Sequence, residues 1–219
     1  MEKLLQFYIN GEWVDPISTD RMPVLNPANL EQLGEVALGN EADVDRAVAA
    51  ASAAFATFAL TSKAERLDLL KQIRAVSERR FEELAQAMRM EMGAPITMAR
   101  EAQADAALGH LDGFIEALEQ LKEQQRFENG EVMLREPIGV CGLITPWNWP
   151  INQVVLKVLP VIATGCTCVL KPSEHTPVSA VLYAEILHEA GVPPGVFNLV
   201  NGVGPVVGAA MSRLSLIHI

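Results

Sequence analysis

The sequence predicts an α/β fold whose centre is a parallel sheet. Three observations carry that expectation. Short apolar runs at residues 139–144, 166–170 and 196–200 have the length and composition of buried strands. Each is followed by a helical stretch, at 152–164, 176–190 and 204–212. Helix stops stand where the pattern needs them, at Gly165 and at Gly191 with Pro193. Strand–helix units in succession point to parallel strands joined by right-handed crossovers.

The stretch before residue 139 reads differently. Phe7-Tyr8-Ile9 and Glu12-Trp13-Val14 flank Asn10-Gly11, a strong two-residue hairpin signal. Asn26-Pro27 marks a loop. Asn40 suits the N-cap of a helix with Val44, Ala47, Val48, Ala51, Phe55 and Phe58 on one face. Ser62-Lys63-Ala64-Glu65 has capping-box spacing and starts a second helix, with Leu67, Leu70 and Ile73 in its stripe. Phe81, Leu84, Ala85 and Met88 continue a helical face that Gly93 and Pro95 end. A long helix follows over residues 97–124, with Leu111, Phe114, Ile115, Leu118 and Leu121 on one side. Asn129-Gly130 is a second hairpin turn, between Arg126-Phe127 and residues 132–134. Pro160 should kink or shorten the helix around it. Thr176-Pro177 combines an N-cap with proline at the first helical position.

Composition narrows the function classes. Hydrophobic residues make up 50% of the chain and charged ones 20%, the mixture of a soluble globular protein. The formal net charge of −10 argues against a nucleic-acid or anionic-membrane partner. The sequence lacks an apolar run of the ~18 residues a membrane span needs. The N-terminus lacks the basic-then-apolar form of a signal peptide. Three cysteines without framework spacing fit a reducing compartment, so the cytoplasm is expected. Cys166 and Cys168 fall two apart on one strand, with Cys141 on its neighbour. They read as small buried hydrophobes, and no metal site is expected.

Chemistry in an open parallel sheet sits outside the carboxyl ends of the strands. Three loops leave those ends, at residues 145–150, 171–176 and 201–205. Topology therefore brings Asn148, Lys171, Glu174 and Gly204 to one edge. Lys171 can donate to sugar hydroxyls or a phosphate, and Glu174 can accept from ribose hydroxyls. Gly202 and Gly204 allow backbone to approach a ligand just before a helix N-terminus. With Gly208 they form G-x-G-x-x-x-G, one residue longer than the dinucleotide fingerprint. These glycines serve either a ligand or a turn with close helix–sheet packing.

Residues 136–150 read Glu136-Pro137-Ile138-Gly139-Val140-Cys141-Gly142-Leu143-Ile144-Thr145-Pro146-Trp147-Asn148-Trp149-Pro150. This segment resembles the aldehyde dehydrogenase superfamily pattern P-x-G-V-x-x-x-I-x-P-W-N-x-P. Ala163-Thr164-Gly165 with Val169-Leu170-Lys171-Pro172-Ser173-Glu174 is similar to the family's next block, and Pro193-Pro194-Gly195-Val196-Phe197-Asn198 to a third. The similarity covers residues 7–213. It implies a truncated Rossmann-like cofactor domain with N-terminal helices and a β-hairpin arm, at about 125–137, for oligomerisation. It also implies oxidation of an aldehyde to a carboxylic acid through a thiohemiacetal, with hydride passing to NAD(P).

The resemblance assigns roles residue by residue. Asn148 matches the amide that donates to the developing oxyanion, a neutral preorganised donor of the kind that stabilises transition-state charge. Ile144, Thr145, Pro146 and Trp147 match the wall of the cofactor cleft. Trp149 matches a substrate-tunnel position, with core packing as the other reading. Lys157 matches a lysine credited with proton relay, or is a helix-surface cation. Lys171 and Glu174 match the residues that hold the adenosine ribose, and Ser173 and Gly204 belong to the same cofactor site. A carboxylate near the 2′-oxygen accepts a hydroxyl and repels a phosphate, so NAD is favoured over NADP.

The nucleophilic cysteine and general-base glutamate are implied farther downstream, in a much longer parent. Residues 214–219, Leu214-Ser215-Leu216-Ile217-His218-Ile219, match codon for codon the transposon end CTG TCT CTT ATA CAC ATC used to build sequencing libraries. They are expected to be a non-native tail, the other reading being a genuine strand. Residues 1–213 are then a partial NAD-binding domain without its catalytic domain, inactive alone. The parent is expected to be a homodimer or homotetramer acting on a small-molecule aldehyde. Two alternatives are a catalytically silent nucleotide-binding or structural member of the fold, and a CoA-acylating semialdehyde dehydrogenase.

Overall fold

The computed structural model describes residues 2–214, so the tail from residue 215 lies outside the described residues. Local chemistry sets the first boundaries. Asn10 and Gly11 both take positive φ, +55° and +81°, closing the hairpin of β1 (Phe7–Ile9) and β2 (Glu12–Val14). A second hairpin, β3 (Arg21–Leu25) with β4 (Gln32–Ala37), encloses the Asn26-Pro27 loop. The sequence pattern does not reveal it, because Pro23 interrupts the strand signal. Asn40 caps α1 (Glu41–Phe58) in a reciprocal box: its side chain accepts from Asp43 N, and Asp43 accepts from Asn40 N. Ser62 and Glu65 do the same for α2 (Lys63–Arg79). Gly93 in the left-handed region ends α3 (Phe81–Met92).

The long helix is interrupted and shorter than its sequence pattern. α4 (Ile96–Met98) leads through a π-helical turn, Ala99–Ala104, into α5 (Asp105–Gln120). It stops four residues early, where Leu121 turns extended, and Lys63 Nζ donates to the carbonyls of Glu119 and Leu121 at 3.1 and 3.2 Å. The chain then enters the arm of β5 (Gln124–Arg126) and β6 (Val132–Leu134).

Three parallel strands follow: β7 (Val140–Ile144), β8 (Thr167–Lys171) and β9 (Phe197–Leu199). α6 (Pro150–Ala163) and α7 (Pro177–Glu189) connect them. α6 opens on Pro150 and runs through Pro160 without ending there; both Thr164 N and Oγ1 return to the Pro160 carbonyl. A second π turn, Gly204–Gly208, leads into α8 (Ala209–Arg213). None of the described helices is long and apolar enough to cross a membrane.

The sheet is mixed rather than wholly parallel, in the order β2-β1-β9-β8-β7. β1 lies antiparallel on β9, with Tyr8 opposite Leu199. All three β1 residues are buried. A two-stranded ribbon cannot bury both of its faces alone, so it joins the larger sheet. Alternation along the strands divides the core. Leu143, Cys168 and Leu170 face α2, α3, α5, α6 and α7, whereas Val140 and Val169 face α1 and α8.

The N-terminus of α7 departs from its local signal. Thr176 holds the cap position but makes no capping bond. The carboxylate of Glu91, from the end of α3, instead accepts from Val178 N and Ser179 N at 2.5 and 3.0 Å. Glu91 is buried, and burial pushes its pKa up to about 7 although the Ser179 and Val178 donors pull it down. Unfolded, the carboxyl titrates near 4.5, so the folded protein holds the proton more tightly. Stability from this group is complete below that pH and is lost as pH rises to about 7. Thermal melts across this window should show a decline in Tm with rising pH that is absent in Glu91→Gln. Glu91→Ala strands two helix N–H groups and should cost about 1–3 kcal/mol.

Candidate functional site

The site grows from the last residue of β8. Lys171 is only 3% exposed, and a buried ammonium persists only where its hydrogens find acceptors. Its Nζ donates to Pro172 O at 2.8 Å, Gly202 O at 2.8 Å and Glu174 Oε2 at 3.1 Å. Its own carbonyl accepts from Thr145 N at 3.1 Å, continuing the Ile144–Lys171 register. One side chain thus joins the loops leaving β8 and β9, while its backbone holds the loop leaving β7. All three ammonium hydrogens are engaged. Glu174 is the half-exposed partner. Burial pushes its carboxyl upward, but its own backbone N–H and Lys171 outweigh this, so it lies below the usual carboxylate range. It therefore offers an ionised acceptor toward solvent.

The glycine loop packs against the same lysine. A Cβ on Gly202 would stand 2.3 Å from Val207 Cγ2, so a side chain there is sterically excluded. A Cβ on Gly208 would stand 3.7 Å from both Ile144 Cδ1 and Lys171 Cδ. Gly204 has open space around it, with nothing within 4 Å of where a Cβ would stand. A π turn accommodates one residue more than an α turn. That matches the one-residue excess in the G-x-G-x-x-x-G spacing. Ile144, the Lys171 stem and the turn at 204–208 therefore converge at the carboxyl edge of the sheet.

The other sequence-predicted residues divide. Asn148 is exposed, and its side chain makes no hydrogen bond among the described residues. It follows Thr145 by three residues, so its Cα lies within about 11 Å of that residue's, at the same edge. Thr145 is buried and Pro146 exposed. Trp147, 57% exposed, lines a separate cavity of about 590 Å³ with Leu25, Leu30, Met92 and His175. Trp149 occupies the N-cap position of α6, half-buried, its carbonyl accepting from Gln153 N. Lys157 is half-buried two turns into α6, about 10 Å along the axis from Pro150. It makes no ion pair among the described residues. Ser173 is buried and accepts from His175 N at 3.3 Å, an internal turn bond. Sequence reasoning missed the Glu91 cap, for which no local signal exists. The contact of Gly208 with Lys171 was carried only by the glycine spacing.

Comparison with known proteins gives this sheet edge a context. The family model for the aldehyde dehydrogenase family matches residues 13–219. The chain belongs to the aldehyde dehydrogenase family. It is 50% identical over 215 residues to a 3-succinoylsemialdehyde-pyridine dehydrogenase from a Pseudomonas species, covering 97% of this chain and 44% of that protein. A mutant of aldehyde dehydrogenase C from Pseudomonas syringae, solved with NAD+ and octanal, superposes with a TM-score of 0.96 at 50% identity. That match covers 99% of this chain and 44% of the other. An aldehyde dehydrogenase from Bacillus cereus, solved as an NAD+ complex, superposes with a TM-score of 0.92 at 35% identity, over 97% of this chain and 44% of that one. The chain thus spans less than half the length of these relatives, and the α/β fold with its parallel strands is the aldehyde dehydrogenase fold.

The two loop glycines make a discriminating pair. Gly202→Ala must displace the buried Val207 and should cost about 1–3 kcal/mol, read as a lowered midpoint in urea. Gly204→Ala meets open space and should unfold at nearly the wild-type midpoint. Equal midpoints for the two variants would remove the steric account of the loop.

Proposed function

We propose that residues 1–213 form part of the NAD-binding domain of an enzyme that oxidises an aldehyde to a carboxylic acid. The observation that carries this reading is the cluster around Lys171, with an ionised Glu174 as its less buried member and open space at Gly204. These residues fit an adenosine ribose and its neighbouring phosphates. Glu174 supplies the acceptor for ribose hydroxyls, and Lys171 fixes that carboxylate in place. Lys171 contributes a hydrogen bond of its own only by exchanging one of its present acceptors. Ile144 supplies an apolar wall, and Gly204 brings backbone close without a side chain in the way. When bound, the nicotinamide accepts hydride.

Asn148 is the reacting-centre residue of this chain in the proposal. Its amide, unengaged among the described residues, donates to the oxygen that gains charge when a thiol adds to the aldehyde carbonyl. That charge exists only near the transition state, so the donor lowers the barrier without tightening substrate binding. The three cysteines here lie within or against the apolar core, so the attacking thiol belongs to the remainder of the parent. On this reading the 219-residue chain does not turn over aldehyde by itself. Trp149 lines the substrate path, and the exposed Phe127, Val132 and Leu134 of the β5–β6 arm meet a second subunit in a cytoplasmic dimer or tetramer. Lys157 keeps a proton-relay role only if the parent brings its reacting atoms two turns along α6. Residues 214–219 remain proposed as a non-native tail.

Glu174 also sets cofactor preference in the proposal, because its charge opposes a 2′-phosphate. Calorimetric titration should find NAD bound more tightly than NADP, with the ratio falling about tenfold in Glu174→Gln, a change of about 1.4 kcal/mol. An unchanged ratio would detach Glu174 from the ribose. In the enzyme expressed from its complete reading frame, Asn148→Ala should lower kcat by about 10²–10³ with little change in KM. A kcat within threefold of wild type would exclude the oxyanion role.

A further inference from the structure

The proposed reaction leaves unused a polar contact one turn from Asn148. α5 and α6 pack against each other, and His110 Nε2 lies 2.7 Å from Asn152 Oδ1. An amide oxygen only accepts, so Nε2 carries the proton and the histidine donates. Both residues are half-buried. The Asn152 side chain makes no other hydrogen bond among the described residues, and its Nδ2 is not among the buried atoms that lack a partner. That nitrogen is therefore open to solvent, and His110 decides which end of the amide faces outward.

This amide belongs to a surface that continues from Asn148. Ile151, Val154, Val155 and Val158 turn one side of α6 into the core. Trp149, Asn152, Gln153 and Leu156 occupy the other side, at the spacing of one helical face, and none of them is fully buried. Trp149 and Leu156 make that face apolar. Gln153 shares it, but no hydrogen bond among the described residues orients its amide. Gly113 of α5 lies one turn beyond His110, with nothing within 4 Å of where its Cβ would stand. The space beside the His110–Asn152 pair is thus free of this chain's described side chains. Asn148 precedes the N-cap Trp149 by one residue, which puts Asn152 about 6 Å farther along the axis. The Lys171 cluster belongs to the loops leaving β8 and β9. A substrate held at Asn148, with the cofactor over those loops, has the open face of α6 as its free flank.

We infer, given the oxyanion role proposed for Asn148, that Asn152 is a specificity-determining residue and His110 its positioning residue. Together they select aldehydes that carry a hydrogen-bond acceptor, such as a ketone oxygen, about one helical turn from the aldehyde oxygen. With the aldehyde oxygen at Asn148, the acceptor takes an N–H of Asn152. A plain alkyl tail leaves that N–H without a partner once the rest of the parent excludes water. The stranded donor is what discriminates. His110 acts only through Asn152. Without its N–H the amide turns freely and presents oxygen as readily as nitrogen, and an oxygen there repels the acceptor.

The test uses the enzyme expressed from its complete reading frame. Initial rates give kcat/KM for pentanal and for levulinaldehyde, the same chain with a ketone two methylenes from the aldehyde. The ratio of the two cancels any effect common to both, such as lost folding or slowed hydride transfer. Wild type should favour levulinaldehyde. Asn152→Leu, similar in size but without a donor, should lower the ratio about tenfold, mainly through KM for levulinaldehyde. His110→Phe should lower it about threefold, and His110→Gln, whose amide can donate to Asn152, should restore it to within about twofold of wild type. No preference in wild type, or a ratio unchanged in Asn152→Leu, overturns the inference while aldehyde oxidation stands. Equal ratios in wild type and His110→Phe overturn the positioning role. Failure of wild type to oxidise either aldehyde removes the proposed reaction itself, and this selectivity with it.

Discussion

The Lys171 ammonium is the constraint around which the carboxyl edge of this sheet is organised. Removing an ammonium from water costs several kcal/mol unless its hydrogens are met. Here the acceptors come from its own loop and from the loop beyond β9, and one of the three is ionised. Because the lysine closes β8, the parallel register of the neighbouring strands transmits its position to both flanking loops. This edge thus inherits the rigidity of the sheet, which is what a preorganised site requires.

Glu91 solves a comparable problem with the opposite sign. Its carboxyl is buried with two backbone donors and no cationic partner. Lys171 has a carboxylate and two carbonyls, and Glu174, although burial pushes it up, is held below its usual range by its own backbone N–H and by Lys171. Glu91 has only helix N–H groups, and burial prevails over them. The two residues stand at successive ends of the segment 171–179. One anchors the strand that enters it, the other the helix that leaves it. The loop carrying Ser173, Glu174 and His175 is therefore held at both ends, and the internal Ser173 turn stiffens its middle.

Legibility varied with the distance over which each interaction acts. The capping boxes at Asn40 and Ser62 and the Asn10-Gly11 and Asn129-Gly130 turns were readable, because every partner lies within three residues. Lys171 and Glu174 were readable as a pair, three residues apart after a strand. What they do to one another was less so. The sequence suggested a lysine free to donate to a ligand; folded, it is saturated, and Glu174 is the outward-facing member. Trp147 read as cleft wall; in the structure it lines a cavity together with residues of the β3–β4 hairpin, an element that Pro23 concealed.

By itself the sequence determined the family, through the three blocks that resemble it, and the succession of parallel strands and helices after residue 139. That succession depends on local propensity, apolar period and the direction of parallel crossovers. Only the tertiary structure decided that β1 completes the sheet beside β9, that Glu91 rather than Thr176 caps α7, and that Gly202 supplies an acceptor to Lys171. The partners in these contacts lie 188, 88 and 31 residues apart, as in Asn10 with Asn198, Glu91 with Ser179 and Lys171 with Gly202. No periodicity encodes such pairings; they exist only once burial has forced each polar group to find what water no longer provides.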